Sequence, residues 1–165
     1  MTREIKYKNI TWLKNNSAIG GALAECINNK KNIDICLMIH SAKLGRLWTT
    51  TSTDQILKLT KKNIGLYEVI SNYPYKVYFD IDGDNECSLT NIKSLIFKYF
   101  NHAEMSISGY ISNDKTSYHI ILNNYLIHND DERDKLKLIV KYLHKYNCSF
   151  DSKVYTKNRM MKCVN

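Results

Sequence analysis

Proline is almost missing from this chain: Pro74 is the only one, and glycine occurs six times in 165 residues. With no Pro/Gly-rich stretch, no low-complexity segment and no internal repeat, a flexible linker and a repeat architecture are both excluded. Long apolar runs are missing too. None approaches the roughly 20 residues that span a bilayer, and the opening residues MTREIKYKN lack the apolar core of a signal peptide. The expectation is therefore an intracellular protein that does not engage a membrane. Paired cysteines are the third absence. Cys26, Cys36, Cys87, Cys148 and Cys163 form no C-x-x-C pair, and an odd number cannot close a disulfide framework. They are expected to be reduced thiols, partly in the core, rather than zinc ligands. Arginine is scarce as well, with four against twenty lysines.

What is present describes a folded α+β chain. Hydrophobic residues make up 44% and charged residues 24%, which suits a packed core rather than disorder. The net charge is +8 and unevenly placed: residues 1–79 hold 12 Lys+Arg against 5 Asp+Glu, and residues 80–165 hold 12 against 11. The basic first half would attract a polyanion, although scattered lysines such as Lys30, Lys31, Lys61 and Lys62 more commonly form a solvated surface. The boundary is placed near residue 72, giving a mixed N-terminal α/β lobe over 1–72 and a second unit over 73–165.

The second unit has the clearer pattern. Pro74 opens YKVYFDID, which alternates as a strand. LTNIKSLIFKYFNHA repeats apolar residues at Leu89, Ile92, Leu95, Ile96, Tyr99 and Phe100 on one helical stripe. EMSISGYIS and KTSYHIILNN read as strands joined through Asn113 and Asp114, residues suited to a tight turn. NDDERDKLKLIVKYLHKYN begins in acid and ends in Lys141, His144 and Lys145, the charge order that complements a helix dipole. CSFDSKVYT reads as a fourth strand. The order β-α-β-β-α-β is the split βαβ arrangement of RRM-like sheets, with strands expected in the order 4-1-3-2.

Alternation then sorts the side chains by face. Val77, Phe79 and Ile81 oppose Tyr78, Asp80 and Asp82; Tyr118, Ile120 and Leu122 oppose Lys115, Ser117 and His119; Phe150 and Val154 oppose Asp151, Lys153 and Tyr155. With the apolar sets turned inward, Asp80, Asp82, Asp151, Ser117 and His119 share the open face. Three carboxylates so placed repel one another unless a cation neutralises them, and oxygen donors without thiolates suit Mg²⁺ or Mn²⁺. Lys115, Ser117 and His119 supply an ammonium, a hydroxyl and an imidazole matched to phosphate oxygens. Taken singly these features are weak. An exposed D-x-D is more often solvated, a lone histidine is more often structural, and DIDGDNE fails as an EF-hand loop because Asn85 and Asn91 replace its Gly and Glu. Convergence from three strands is what raises them.

VYFDID, KTSYHIIL and FDSKVYTKNRMMK together resemble the three ordered motifs of the archaeo-eukaryotic primase superfamily, and most closely its primase-polymerase branch, found in eukaryotes and large DNA viruses. The likeness covers residues 75–162, and the string VYTKNR, Val154–Arg159, is its most specific part. The resemblance implies a DNA primase or primase-polymerase catalytic core that makes primers for DNA replication. Asp80, Asp82 and Asp151 would be metal ligands and catalytic acids, with His119 beside them. Lys115, Ser117, His119, Arg159 and Lys162 would bind the incoming nucleotide. Lys162 departs from the family's usual Arg and so gives up fork geometry.

The implied cofactor is Mg²⁺ or Mn²⁺. The implied partners are a single-stranded DNA template, NTPs or dNTPs, and a helicase domain or subunit outside this chain. Neither a Cys/His-rich priming module nor a Gly-x-x-x-x-Gly-Lys-Ser/Thr loop occurs in these 165 residues, and the third motif stands directly before Asn165, so a fragment of a longer primase or primase-helicase is expected. The Asn-, Ile- and Lys-rich composition suits an A+T-rich viral genome, copied inside a host cell. The competing expectation is a non-catalytic RRM-like module stacking bases on Tyr78, Tyr110 and Tyr155.

Overall fold

The continuous apolar run ICLMI needs cover on both sides, and its surroundings in the computed structural model supply it. Described are residues 2–7, 10–15, 21–29, 35–60, 65–70, 73–83, 87–111, 115–146, 148–156 and 159–162. Along the chain lie β1 (Thr2–Tyr7), β2 (Ile10–Asn15), α1 (Ala22–Asn28), β3 (Ile35–Ser41), β4 (Gly45–Thr51), α2 (Thr53–Thr60) and β5 (Leu66–Ile70). They are followed by β6 (Tyr75–Gly83), α3 (Leu89–Phe97), β7 (Met105–Ile111), β8 (Thr116–Ile127), α4 (Asp130–Leu143) and β9 (Arg159–Lys162). The protein is α+β, with antiparallel sheets and four α-helices among the described residues.

The chain divides into two units, Met1–Ser71 with Lys157–Asn165, and Asn72–Thr156. The first is a six-stranded antiparallel sheet in the order β1-β2-β4-β3-β5-β9. Alternation along β3 divides its core. Leu37 and Ile39 pack with Trp12, Leu47, Leu59 of α2 and Leu66, while Cys36 and Met38 pack with Trp48, Val69 and Ala22 and Cys26 of α1. A strand buried on both faces reads as an unbroken apolar run. Ser41 Oγ accepts from Leu44 N at 3.2 Å, and Gly45 takes φ 76° to close the β3–β4 hairpin, a left-handed position that glycine holds without strain. The last strand, β9, comes from the far end of the chain and pairs with β5 from Tyr67↔Lys162 to Ile70↔Arg159.

The second unit holds an antiparallel sheet in the order β6-β8-β7, the order expected for three of its four strands. Val77, Phe79 and Ile81 of β6 and Tyr118, Ile120 and Leu122 of β8 are buried, as are Ile92, Leu95 and Ile96 of α3 and Leu136, Val140 and Leu143 of α4. Phe79 meets Phe100 and Phe150 edge-on. Ser88 caps α3 by accepting from Asn91 N. Asn129 caps α4, its Oδ1 accepting from Glu132 N at 2.9 Å, and Glu132 Oε2 reaches back to accept from His128 N at 2.8 Å.

Two expectations are corrected. Cys148–Thr156 is not a strand. Its pairing is a single antiparallel bridge, Ile81↔Phe150, after which Ser152–Val154 wind into a 3-10 turn. Asp151 causes the departure: its Oδ1 accepts from Lys153 N at 2.7 Å, a side-chain cap that curls the chain out of the ladder. Nor are all the thiols reduced, since Cys87 and Cys148 form a disulfide with Cα atoms 5.3 Å apart. Cys26 and Cys36 are buried, with their Sγ atoms 2.8 Å apart. The expected turn at Asn113 and Asp114 lies outside the described residues, as do Asp84, Glu86, Lys30, Lys31, Lys61, Lys62 and Cys163. No helix among the described residues is long and apolar enough to cross a membrane.

Candidate functional site

Register places the polar residues of β6 and β8 face to face. Asp80 stands opposite His119 and Asp82 opposite Ser117, on the side away from Val77, Phe79 and Ile81. His119 Nε2 lies 3.1 Å from Asp80 Oδ1, with the two side chains 26% and 14% exposed. The two form an ion pair only when His119 is protonated, and Asp80 Oδ1 is buried with no hydrogen-bond partner. Asp82 is exposed, Ser117 is half-buried, and Lys115 stands exposed one residue before β8.

The main chain brings Asp151 to the same place. Asp82 N donates to Ser149 O at 3.2 Å and Asp151 N donates to Asp80 O at 2.8 Å, so Ser149–Asp151 runs beside the end of β6. The approach is close enough that a Cβ at Gly83 would collide with the Ser149 side chain. Asp151 is half-buried with one oxygen committed to its cap. Among the described residues no group of three or more His, Cys, Asp or Glu side chains stands ready to hold a metal ion. Arg159 and Lys162 belong to β9 of the first unit. Arg159 Nε is buried without a hydrogen-bond partner, and the Lys162 side chain lies outside the described residues.

The sequence reading missed a tyrosine lock beneath this site. Tyr78 OH donates to Val154 O at 2.8 Å, and Tyr155 OH donates to Tyr78 O at 2.6 Å. Their rings stack at 5.3 Å. Both are buried, so neither offers the exposed platform expected for base stacking; the Tyr110 side chain lies outside the described residues. Burial, then the neighbouring Tyr78, Asp80 and Asp151 charges among others, hold the Tyr155 hydroxyl well above its ordinary pKa. Both acids thus act electrostatically on one buried phenol. The pattern Y-x-D in VYFD and the tyrosine four residues after Asp151 were visible, but partners 76 and 77 residues apart were not.

No family model, no curated protein and no solved structure matches the chain.

Proposed function

We propose that this chain is the catalytic core of a DNA primase of the primase-polymerase kind, built on an RRM-like sheet, which joins nucleotides on a single-stranded DNA template to make primers for replication. One observation carries the reading most: the buried, hydrogen-bond-free Asp80 Oδ1 at a junction where His119, Ser117, Asp82 and the Asp151 backbone meet. An anionic oxygen withdrawn from water is costly unless positive charge compensates it, which a protonated His119 or a bound cation supplies. The ordered motifs around Asp80, Ser117–His119 and Asp151 point the same way.

The donor set fits Mg²⁺ or Mn²⁺, which accept one or two carboxylates and complete their shell with water and substrate phosphate. Asp80 and Asp82 would hold the ion, with Asp151 as the third carboxylate. When bound, the ion neutralises phosphate charge and acidifies the attacking hydroxyl. Lys115, just before β8, and Ser117 and His119 at the start of that strand offer donors for the triphosphate of an NTP or dNTP. In the reaction a primer 3′-oxygen bonds to the α-phosphorus, its proton passes to solvent or a nearby base, and the bond to the leaving pyrophosphate breaks. A helicase partner or domain would supply the template in the cell.

The competing module that stacks bases on Tyr78, Tyr110 and Tyr155 loses two of its three platforms to burial. The deciding experiment incubates the protein with single-stranded DNA, labelled triphosphates and Mg²⁺ or Mn²⁺. Oligonucleotide products are expected from the native chain and none from Asp80→Ala or Asp151→Ala, with circular dichroism unchanged. Full incorporation by either variant would remove the assignment.

A further inference from the structure

The two units carry very different charge. The first, Met1–Ser71 with Lys157–Asn165, holds 14 Lys+Arg against 5 Asp+Glu, a balance of +9, while Asn72–Thr156 holds 10 against 11, a balance of −1. The whole basic excess of the protein therefore sits on the unit that lacks Asp80 and Asp151. Within that unit, a cleft of about 600 Å³ opens where β2 and β4 pair and α1 begins. That volume suits a nucleotide-sized group.

Its polar lining consists of donors. Lys14 and Arg46 line the cleft and have no carboxylate partner among the described residues. Asn15 Oδ1 is spent on Ala22 N at 2.8 Å, which leaves its amide nitrogen as the group on offer. Trp48, another lining residue, has a buried indole Nε1 with no hydrogen-bond partner. Among the described residues no Asp or Glu lines the cleft, and Gly21 and Gly45, both at positive φ, carry no Cβ at its rim. Two cations with no carboxylate partner among the described residues select an anion rich in acceptors, and a guanidinium beside an ammonium is a set suited to phosphate.

We infer that the Lys14–Arg46 cleft of the first unit seats backbone phosphate of single-stranded nucleic acid. The choice of a strand over a free anion rests on the primase reading and on the +9 balance spread over the same unit. Each phosphate neutralised on a single strand contributes about 0.7 to the slope of log affinity against log salt.

The test measures binding of a fluorescently labelled single-stranded oligonucleotide to the full chain, in EDTA and without triphosphates, over a series of salt concentrations. Lys14→Gln/Arg46→Gln is expected to weaken binding by about tenfold and to lower the salt slope by about 1.4. Lys6→Gln/Lys58→Gln, which removes two exposed charges elsewhere on the unit, is expected to change affinity less than about threefold. The inference is overturned if the cleft variant binds like the native chain, or if the control variant loses as much. A third outcome would overturn the strand assignment: loss of ATP or inorganic triphosphate binding in the cleft variant while oligonucleotide binding is unchanged. Because no incorporation is measured, the two proposals fail separately. A native chain that makes no primers but loses strand binding in the cleft variant removes the catalytic reading and keeps this one.

Discussion

Tyr78 and Tyr155 show how much one pair of side chains does beneath the candidate site. Each hydroxyl satisfies a carbonyl belonging to the other's segment, so β6 and the chain after Asp151 are held by reciprocal bonds under a stacked pair of rings. Tyr155→Phe keeps the ring and removes the hydrogen bond to the Tyr78 carbonyl, which costs about 0.5–1.5 kcal/mol; urea unfolding measures it. The pH dependence has a definite sign. Burial raises the folded-state pKa of Tyr155 above its ordinary 10.0, so its contribution is complete below that pH and is lost as pH rises toward the folded value. Stability should fall on the alkaline side of pH 10, and Tyr155→Phe should flatten that fall. At this scale the sequence was partly legible. Period-two alternation placed Asp80 with Asp82 and Ser117 with His119, because a strand leaves no other choice of face. The lock was illegible because hydrogen bonds across some 76 residues leave no local pattern.

Elements differ in how openly they declare themselves. The acidic start and basic end of NDDERDKLKLIVKYLHKYN announced a helix, and the structure begins it at Asp130. The fourth strand failed for an equally local reason. CSFDSKVYT alternates well enough, but Asp-Ser offers the backbone a side-chain acceptor in place of a neighbouring strand, and Asp151 takes that option. The disulfide had no such signal. Cys87 and Cys148 are 61 residues apart, and only the packing of the segment before α3 against the segment before Phe150 brings them together. A closed loop of that length restricts the unfolded chain by about 2–4 kcal/mol. Thermal unfolding with and without a dithiol reductant should therefore show a lower midpoint in reductant, and Cys87→Ser/Cys148→Ser should melt at that lower midpoint regardless of reductant. An unchanged midpoint in both comparisons would mean that the bridge contributes nothing to the fold.

Over the whole molecule the chain crosses its own division twice, leaving the first unit after Ser71 and returning at Lys157. The return was not legible, since RMMK is four residues long and too short to show a period. Its consequence is physical: β9 covers the edge of β5, whose backbone donors and acceptors would otherwise stand unpaired. A chain ending at Thr156 retains every residue of the second unit and loses β9 together with Arg159 and Lys162. Hydrogen exchange should then lose protection along Leu66–Ile70, the strand that β9 covers, while the amides of β8, paired on both sides by β6 and β7, keep theirs. Equal loss in both strands would show that the two units unfold as one cooperative body, and equal retention would show that β3 alone holds β5 in place. Because the shortened chain keeps Lys14 and Arg46, oligonucleotide binding in EDTA should survive the truncation better than nucleotide incorporation does.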